Sequence, residues 1–351
     1  MTSLHSSVEE PGNMPLVCIC IPTYNAAATI RETLNSILRQ TYQNLIVYVS
    51  DNASTDSTLA IVQSVEDPRV RIHANAKNVG AEGNFNHCIQ LAQGKYTAIF
   101  HADDIYEPDM VAQQITFLEA NPITGAVFTA ATTIDADGIP WGVIGREGVG
   151  DVIDSVYDFS LLLKAVLKDG NFVVCPSAMV RTRIYKDEIH RWRGDLFRSS
   201  ADLDVWFRIA TAHSVAILAT PLMRYRVDNK QFSSTVRTRT ERADFFLVMD
   251  YYLAKPEVQL LLSADDRRNF RKLVVNDKLW RAVNHFTNGD LLEAKQLIQG
   301  SLNVDALHGA FTTRRGLSGL VATIVLYLMV ALQLKKSGKA IINTLRVRLN
   351  K

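Results

Sequence analysis

Cysteine is scarce, and its placement excludes two classes at once. Four cysteines in 351 residues, none at zinc-type spacing, argue against both a disulfide-stapled secreted domain and a structural zinc module. Cys18 and Cys20 flank one residue on a strand-like run, so both thiols point to one face. Cys88 and Cys175 also lie in apolar or helical patterns, and all four read as reduced core residues of a cytosolic protein. Charge of one sign is lacking too. Lys and Arg number 38 against 36 Asp and Glu, a balance that gives no reason to expect nucleic acid. Neither Gly-x-Gly-x-x-Gly nor Gly-x-x-x-x-Gly-Lys-Ser/Thr occurs, so no dinucleotide fingerprint and no P-loop is indicated. Internal repeats and low-complexity segments are absent. Residues 1–14 are polar, carry Glu9, Glu10 and Pro11, and lack a signal-peptide core; they are expected to be a disordered lead-in.

What is present is an alternation of strands and helices from residue 15 to 104. Apolar runs of strand length cover 16–21, 45–49, 70–73 and 96–100, and helical spacing covers 29–39, 57–65 and 82–92. This pitch predicts a mostly parallel sheet with helices on both faces, in which ligands bind outside the carboxyl ends of the strands. Three polar clusters fall at those ends: Pro22-Thr23-Tyr24-Asn25, then Ser50 to Asp56, then His101-Ala102-Asp103-Asp104. Two adjacent carboxylates at a strand tip repel each other, which suits a divalent cation between them and a phosphate-bearing ligand. A turn that caps the helix starting near Pro108 would also use them. Asp51, directly after its strand, can accept hydrogen bonds from a base or ribose, and Asn52 follows it. Asn78-Val79-Gly80 leads into a helix N-terminus, where phosphate contacts are favourable.

Beyond residue 125, strand-like segments are expected at 126–134, 172–175 and 215–218, with a helix over 202–212. Asp202 and Asp204 leave the start of that helix in different directions, so one can cap it while the other faces a cleft. Tyr225-Arg226-Val227-Asp228 reads as a polar loop, with Arg226 a natural partner for a phosphate or a carboxylate. The pattern turns helical over 240–300, with Phe245, Phe246, Leu247, Tyr251, Leu260, Leu273, Leu279 and Trp280 as expected core.

These segments, taken in order, resemble the family-2 inverting glycosyltransferases of the GT-A fold: Pro22 to Asn25, Val49 to Asp56, Asn78 to Gly80, His101 to Asp104, Ala201 to Arg208, and Tyr225-Arg226. The similarity covers roughly residues 15–234. It implies a nucleotide-sugar donor and a divalent metal, magnesium or manganese. By position, Pro22, Thr23, Tyr24 and Asn25 line the nucleotide pocket and Asp51 holds the base, with Asn52, Asn78, Gly80 and Arg226 as further donor contacts. Asp103 matches the metal-binding aspartate, with Asp104 beside it, and Asp202 matches the general base. Three residues depart from the family's pattern. His101 replaces the first Asp of an Asp-x-Asp motif, Ala201 replaces the Glu before the base, and Asp228 stands where many members carry a metal- or diphosphate-contacting histidine. An aspartate there can still bind a hard cation. A sugar-phosphate nucleotidyltransferase would want a Gly-rich, basic loop after the first strand, which Pro22 to Asn25 is not. A catalytically silent binding relative would be consistent with His101 and Ala201.

The sequence divides into a GT-A domain over 15–235, a helical extension over 240–310, and an apolar helix with basic tail over 311–351. Residues 316–334 carry no charge, with Arg314-Arg315 before them and Lys335-Lys336 after. That run is at the lower edge of spanning length. A helix dipping into the inner leaflet with basic flanks on anionic lipid fits it, and a buried core helix is the other reading. The expectation is a cytoplasmic enzyme peripheral to the membrane, acting on a saccharide or lipid-linked acceptor.

Overall fold

Continuous burial of the first strand sets the architecture. In β1 (Val17–Thr23), Val17 through Ile21 are each fully buried. A strand covered on both faces reads as an unbroken apolar run, which is the signature of a parallel sheet inside helical layers. Val17, Ile19 and Ile21 join one cluster with Ile30, Leu34 and Ile37 of α1 (Ile30–Leu38), while Cys18 and Cys20 point the other way. There the Cys20 thiol lies 3.4 Å from the carbonyl of Cys88 in α3 (Gly80–Leu91), and the two thiols of β1 are 3.7 Å apart. Hydrogen bonding to Cys20 and burial hold the Cys18 thiol far above its ordinary pKa, so it stays protonated.

The structure is a computed structural model that describes residues 14–145, 154–227 and 238–299. Most of the lead-in, Asp228, and the apolar segment with its basic tail lie outside the described residues. After β1 and α1 come β2 (Leu45–Asp51), α2 (Thr58–Gln63), β3 (Val70–Ala74), α3 and β4 (Tyr96–Ile99). There follow β5 (Ile105–Tyr106), α4 (Met110–Ala120), β6 (Thr124–Ile134), β7 (Pro140–Ile144), β8 (Ser155–Tyr157) and α5 (Phe159–Asp169). After β9 (Met179–Arg181) and two short helices, α6 (Thr182–Ile184) and α7 (Gly194–Phe197), come α8 (Ala201–Ala212) and β10 (Ser214–Arg226).

The sheet runs β3-β2-β1-β4-β9-β6-β10-β5, with β7 beside β6 and β8 beside β10. Its first four strands are all parallel, as the alternation implies. From β4 onward the sheet is mixed: β9 is antiparallel to β4 and β6, β10 is parallel to β6, and β5 is antiparallel to β10. Register aligns Thr23 with Asp51 and Asp51 with Ala74 at the carboxyl edge. Gly94, at φ +73°, makes the tight turn into β4, where an added Cβ would lie 2.4 Å from the Leu16 carbonyl oxygen.

Two expectations need correction. Residues 172–175 are not a strand: Cys175–Ser177 form a 3₁₀ turn with Pro176 inside it, and the strand begins at Met179. In the helical part, Phe246 is buried, but Leu247, Tyr251, Leu260 and Trp280 are exposed. The interior there is instead Val248, Met249, Tyr252, Val258, Ala282, Phe286, Ala294 and Ile298.

Chain contacts define two units. One contains the whole sheet, and its described residues fall within Met1–Phe159, Phe172–Asp195 and Ala201–Arg226. The other is helical and includes Ser160–Asn171, Leu196–Ser200 and the described residues beyond Val227. In the helical unit, α9 (Phe245–Leu253), α10 (Pro256–Gln259), α11 (Ala264–Asn288) and α12 (Leu291–Gln299) follow one another. The Ser263 hydroxyl and the Asp266 carboxylate form a reciprocal capping box that starts α11, and Gly289 in the left-handed region ends it. Among the described residues no helix is long and apolar enough to cross a membrane.

Candidate active site

The turn after β4 is clamped from beneath. Thr29, at the N-cap of α1, and Thr33 within it donate hydroxyl hydrogen bonds to the carbonyls of Ala102 (2.9 Å) and Asp104 (2.8 Å). The backbone N–H of His101 donates to the Tyr106 hydroxyl at 2.7 Å, and Tyr106 stacks on Phe100 at 3.9 Å between ring centroids. From β10, the Arg226 N–H donates to Asp104 Oδ1 at 2.9 Å. The Arg226 guanidinium is buried and donates to the carbonyls of Asp103, Asp135 and Ala136 and to the Glu32 carboxylate. Of the phosphate or carboxylate expected as its partner, the structure shows a carboxylate, that of Glu32, and Arg226 staples the turn.

The clamped turn gathers donor atoms. One ligand atom each from His101, Asp103 and Asp104 lies within 4.8 Å of the other two. Asp104 is fully buried, and its Oδ2 has no hydrogen-bond partner. A buried carboxylate oxygen left without a partner is costly. Burial, then the charge of Asp103, drives the Asp104 pKa well above the carboxylate range. A divalent cation bound between the two carboxylates would relieve both costs, so these residues fit the metal the sequence implies. Burial also lowers the His101 pKa, against the pull of Asp103, which favours the neutral imidazole.

Cys175 is partly exposed and lines this site instead of the core expected for it. Its thiol is 3.9 Å from His101 Nε2, and burial, then the negative charges of Asp202 and Asp104, push its pKa up. The charge that acts on this thiol thus comes both from the His101–Asp104 turn and from the start of α8. An aromatic row makes the same connection. His101 packs edge-on to Phe85 at 5.7 Å, Phe85 on Trp192 at 4.6 Å, and Trp192 edge-on to Trp206 of α8 at 5.9 Å.

At α8, Asp204 is buried and paired with two arginines. It bonds Arg193 through both oxygens and Arg208, one turn on, at 3.0 Å. Sequence spacing missed Arg193, because it arrives from the loop before α7. Asp204 is thus committed to this ion pair, and Asp202 lies beside it in the first turn of α8. Replacing Asp204 with Asn should leave two arginines, each about one-fifth exposed, without their buried counter-charge. The expected cost is about 3 kcal/mol, read as a lower denaturant midpoint. An unchanged midpoint would show that the pair is not structural.

The other strand ends carry a polar scaffold. Asp51 is buried and accepts from the Ser54 N–H (3.0 Å) and hydroxyl (2.5 Å). Asn52, also buried, donates to Asn78 Oδ1 and the Gly80 carbonyl, both at 3.0 Å, and accepts from the Val79 N–H at 2.9 Å. It thereby fixes the entry to α3, where Gly80 adopts φ +78°. Asn25, at φ +49°, accepts from the Thr55 N–H at 2.8 Å and donates its own N–H to Ser54. Thr23 is buried, Pro22 is partly so, and Tyr24 is 47% exposed. Asn84 is buried in α3. It bridges Ser50 and Asn75, its amide donating to the Ser50 carbonyl at 2.8 Å.

Comparison with known proteins agrees with this geometry. Residues 1–349 of TarS from S. aureus, in complex with UDP-GlcNAc, superpose with a TM-score of 0.57 at 17% identity, covering 92% of each chain. The fold is therefore that of the GT-A glycosyltransferases. Residues 18–189 match the profile "Glycosyl transferase family 2". An uncharacterized glycosyltransferase of Haemophilus influenzae is 28% identical over 226 residues, 63% of this chain and 68% of that protein. The Escherichia coli UDP-Glc:alpha-D-GlcNAc-diphosphoundecaprenol beta-1,3-glucosyltransferase WfaP is 36% identical over 110 residues, 31% of this chain and 44% of WfaP. Residues 18–189 thus form a glycosyltransferase family 2 domain.

Proposed function

We propose that this glycosyltransferase is inverting and metal-dependent, and that it moves a sugar from a nucleotide-sugar donor to a hydroxyl of a lipid-linked saccharide. The observation that supports the reading most is the gathering of donor atoms from His101, Asp103 and Asp104 within 4.8 Å after β4, joined through Phe85, Trp192 and Trp206 to the helix that carries Asp202. The Asp202 carboxylate takes the acceptor's proton as its oxygen attacks the anomeric carbon, and the bond to the nucleoside diphosphate breaks in the same displacement. Asp103 and Asp104 would hold the cation, with Asp228 a further candidate. A bound divalent cation supplies Lewis-acid stabilisation of the departing diphosphate. Tyr24 and Asn25, at the exposed mouth, would contact the nucleotide, with Asp51 and Asn52 behind them.

WfaP acts, by its name, with UDP-Glc on a diphosphoundecaprenol-linked acceptor, which supports a UDP-sugar and a lipid-linked acceptor as first choices here. Attachment to the cytosolic membrane face through 316–334 and its basic flanks rests on the sequence alone. A panel of nucleotide sugars with manganese, read first by thermal shift and then by donor consumption, tests the function. One donor should raise Tm and be transferred to a lipid-linked saccharide, and NMR of the product should show the inverted anomer. Binding without consumption would favour a catalytically silent relative, and retention of configuration would overturn the single displacement.

A further inference from the structure

We infer that His101 is itself a metal ligand, so that the site combines one imidazole nitrogen with the Asp103 and Asp104 carboxylates and selects manganese over magnesium. The inference deepens the proposed metal-dependent transfer and rests on that reading for the site's purpose, but its geometry stands alone. Two donors on opposite sides of a cation with bonds of about 2.1 Å lie about 4.2 Å apart. Donor atoms from the three residues already lie within 4.8 Å of one another, so closing onto a cation asks for movements of a few tenths of an ångström. The orphaned Asp104 Oδ2 is the second, independent sign that the cluster is built for an occupant.

The imidazole is held where it can serve. Its backbone N–H is anchored on Tyr106, and its ring packs edge-on against Phe85, itself tilted against Trp192. The neighbouring Cys175 thiol, 3.9 Å from Nε2, makes at most a weak hydrogen bond and does not compete with a cation. A nitrogen donor changes the chemistry of the site. Magnesium demands near-ideal octahedral oxygen coordination, whereas imidazole suits first-row transition ions better.

The test uses the full chain with manganese alone and again with UDP, read by pulsed electron paramagnetic resonance. Wild-type protein should show modulation from a directly bound nitrogen, and His101→Asp should lose it while still binding the ion. Competition by magnesium should show a preference for manganese that shrinks on the order of tenfold in His101→Asp. His101→Gln serves as a second variant, and a wild-type spectrum without nitrogen modulation overturns the inference even if neither variant folds. Manganese bound without nitrogen coupling, coupling that persists in both variants, or no bound manganese in either condition overturns the inference. Nitrogen-coordinated manganese in a protein that transfers no sugar would keep the inference and overturn the proposed function instead.

Discussion

Asp202→Asn should lower turnover by about a hundredfold or more while leaving nucleotide-sugar affinity in manganese within a few-fold. An acceptor hydroxyl has a pKa far above neutrality, so attack needs a carboxylate to take the proton as the bond forms. The amide of Asn keeps the shape and loses that capacity. Asp202 occupies the first turn of α8, where the helix dipole favours a negative charge. Steady-state kinetics beside equilibrium binding separates the two effects, because a lost base lowers kcat and not donor affinity. The control is Asp204→Asn, whose defect should appear in stability. If folded Asp204→Asn loses turnover and Asp202→Asn does not, the base is the other carboxylate.

The choice between those two aspartates shows where sequence reasoning stopped. Spacing placed Asp202 and Asp204 on different sides of a helix start, and no more, because the deciding partner, Arg193, lies 11 residues away in an irregular loop. The first half of the sheet was legible for a physical reason: strands buried on both faces, such as 17–23 and 45–51, leave apolar runs that end abruptly in polar clusters. The second half was not. β5 spans two residues and β9 three, too short to leave a periodic trace. The apolar stretch at 172–175 looked like a strand, yet Pro176 turns the chain there and swings Cys175 towards His101. Arg226 shows the same limit at the site. Its charge suggested a phosphate or a carboxylate, and only the folded chain reveals that the carboxylate is that of Glu32 and that backbone carbonyls take its other donors.

Asp103→Asn should abolish the gain in nucleoside diphosphate affinity that manganese provides, a loss on the order of a hundredfold. Of the two adjacent carboxylates, Asp104 already accepts the Arg226 N–H and so helps fix β10. Changing Asp104 would mix folding with binding. The main-chain carbonyl of Asp103 takes the Arg226 Nε–H, and that bond survives the substitution. The mutation therefore removes one negative charge from the cluster with little change in shape, and the remaining imidazole and single carboxylate hold a cation weakly. Calorimetric titration of UDP with and without manganese reads the effect directly. Metal-free affinity should be similar in both proteins, and the denaturant midpoint should not fall, because relief of repulsion on Asp104 offsets any small loss of contact. Metal-dependent affinity that survives unchanged in Asp103→Asn would place the cation elsewhere and remove the turn after β4 from the donor site.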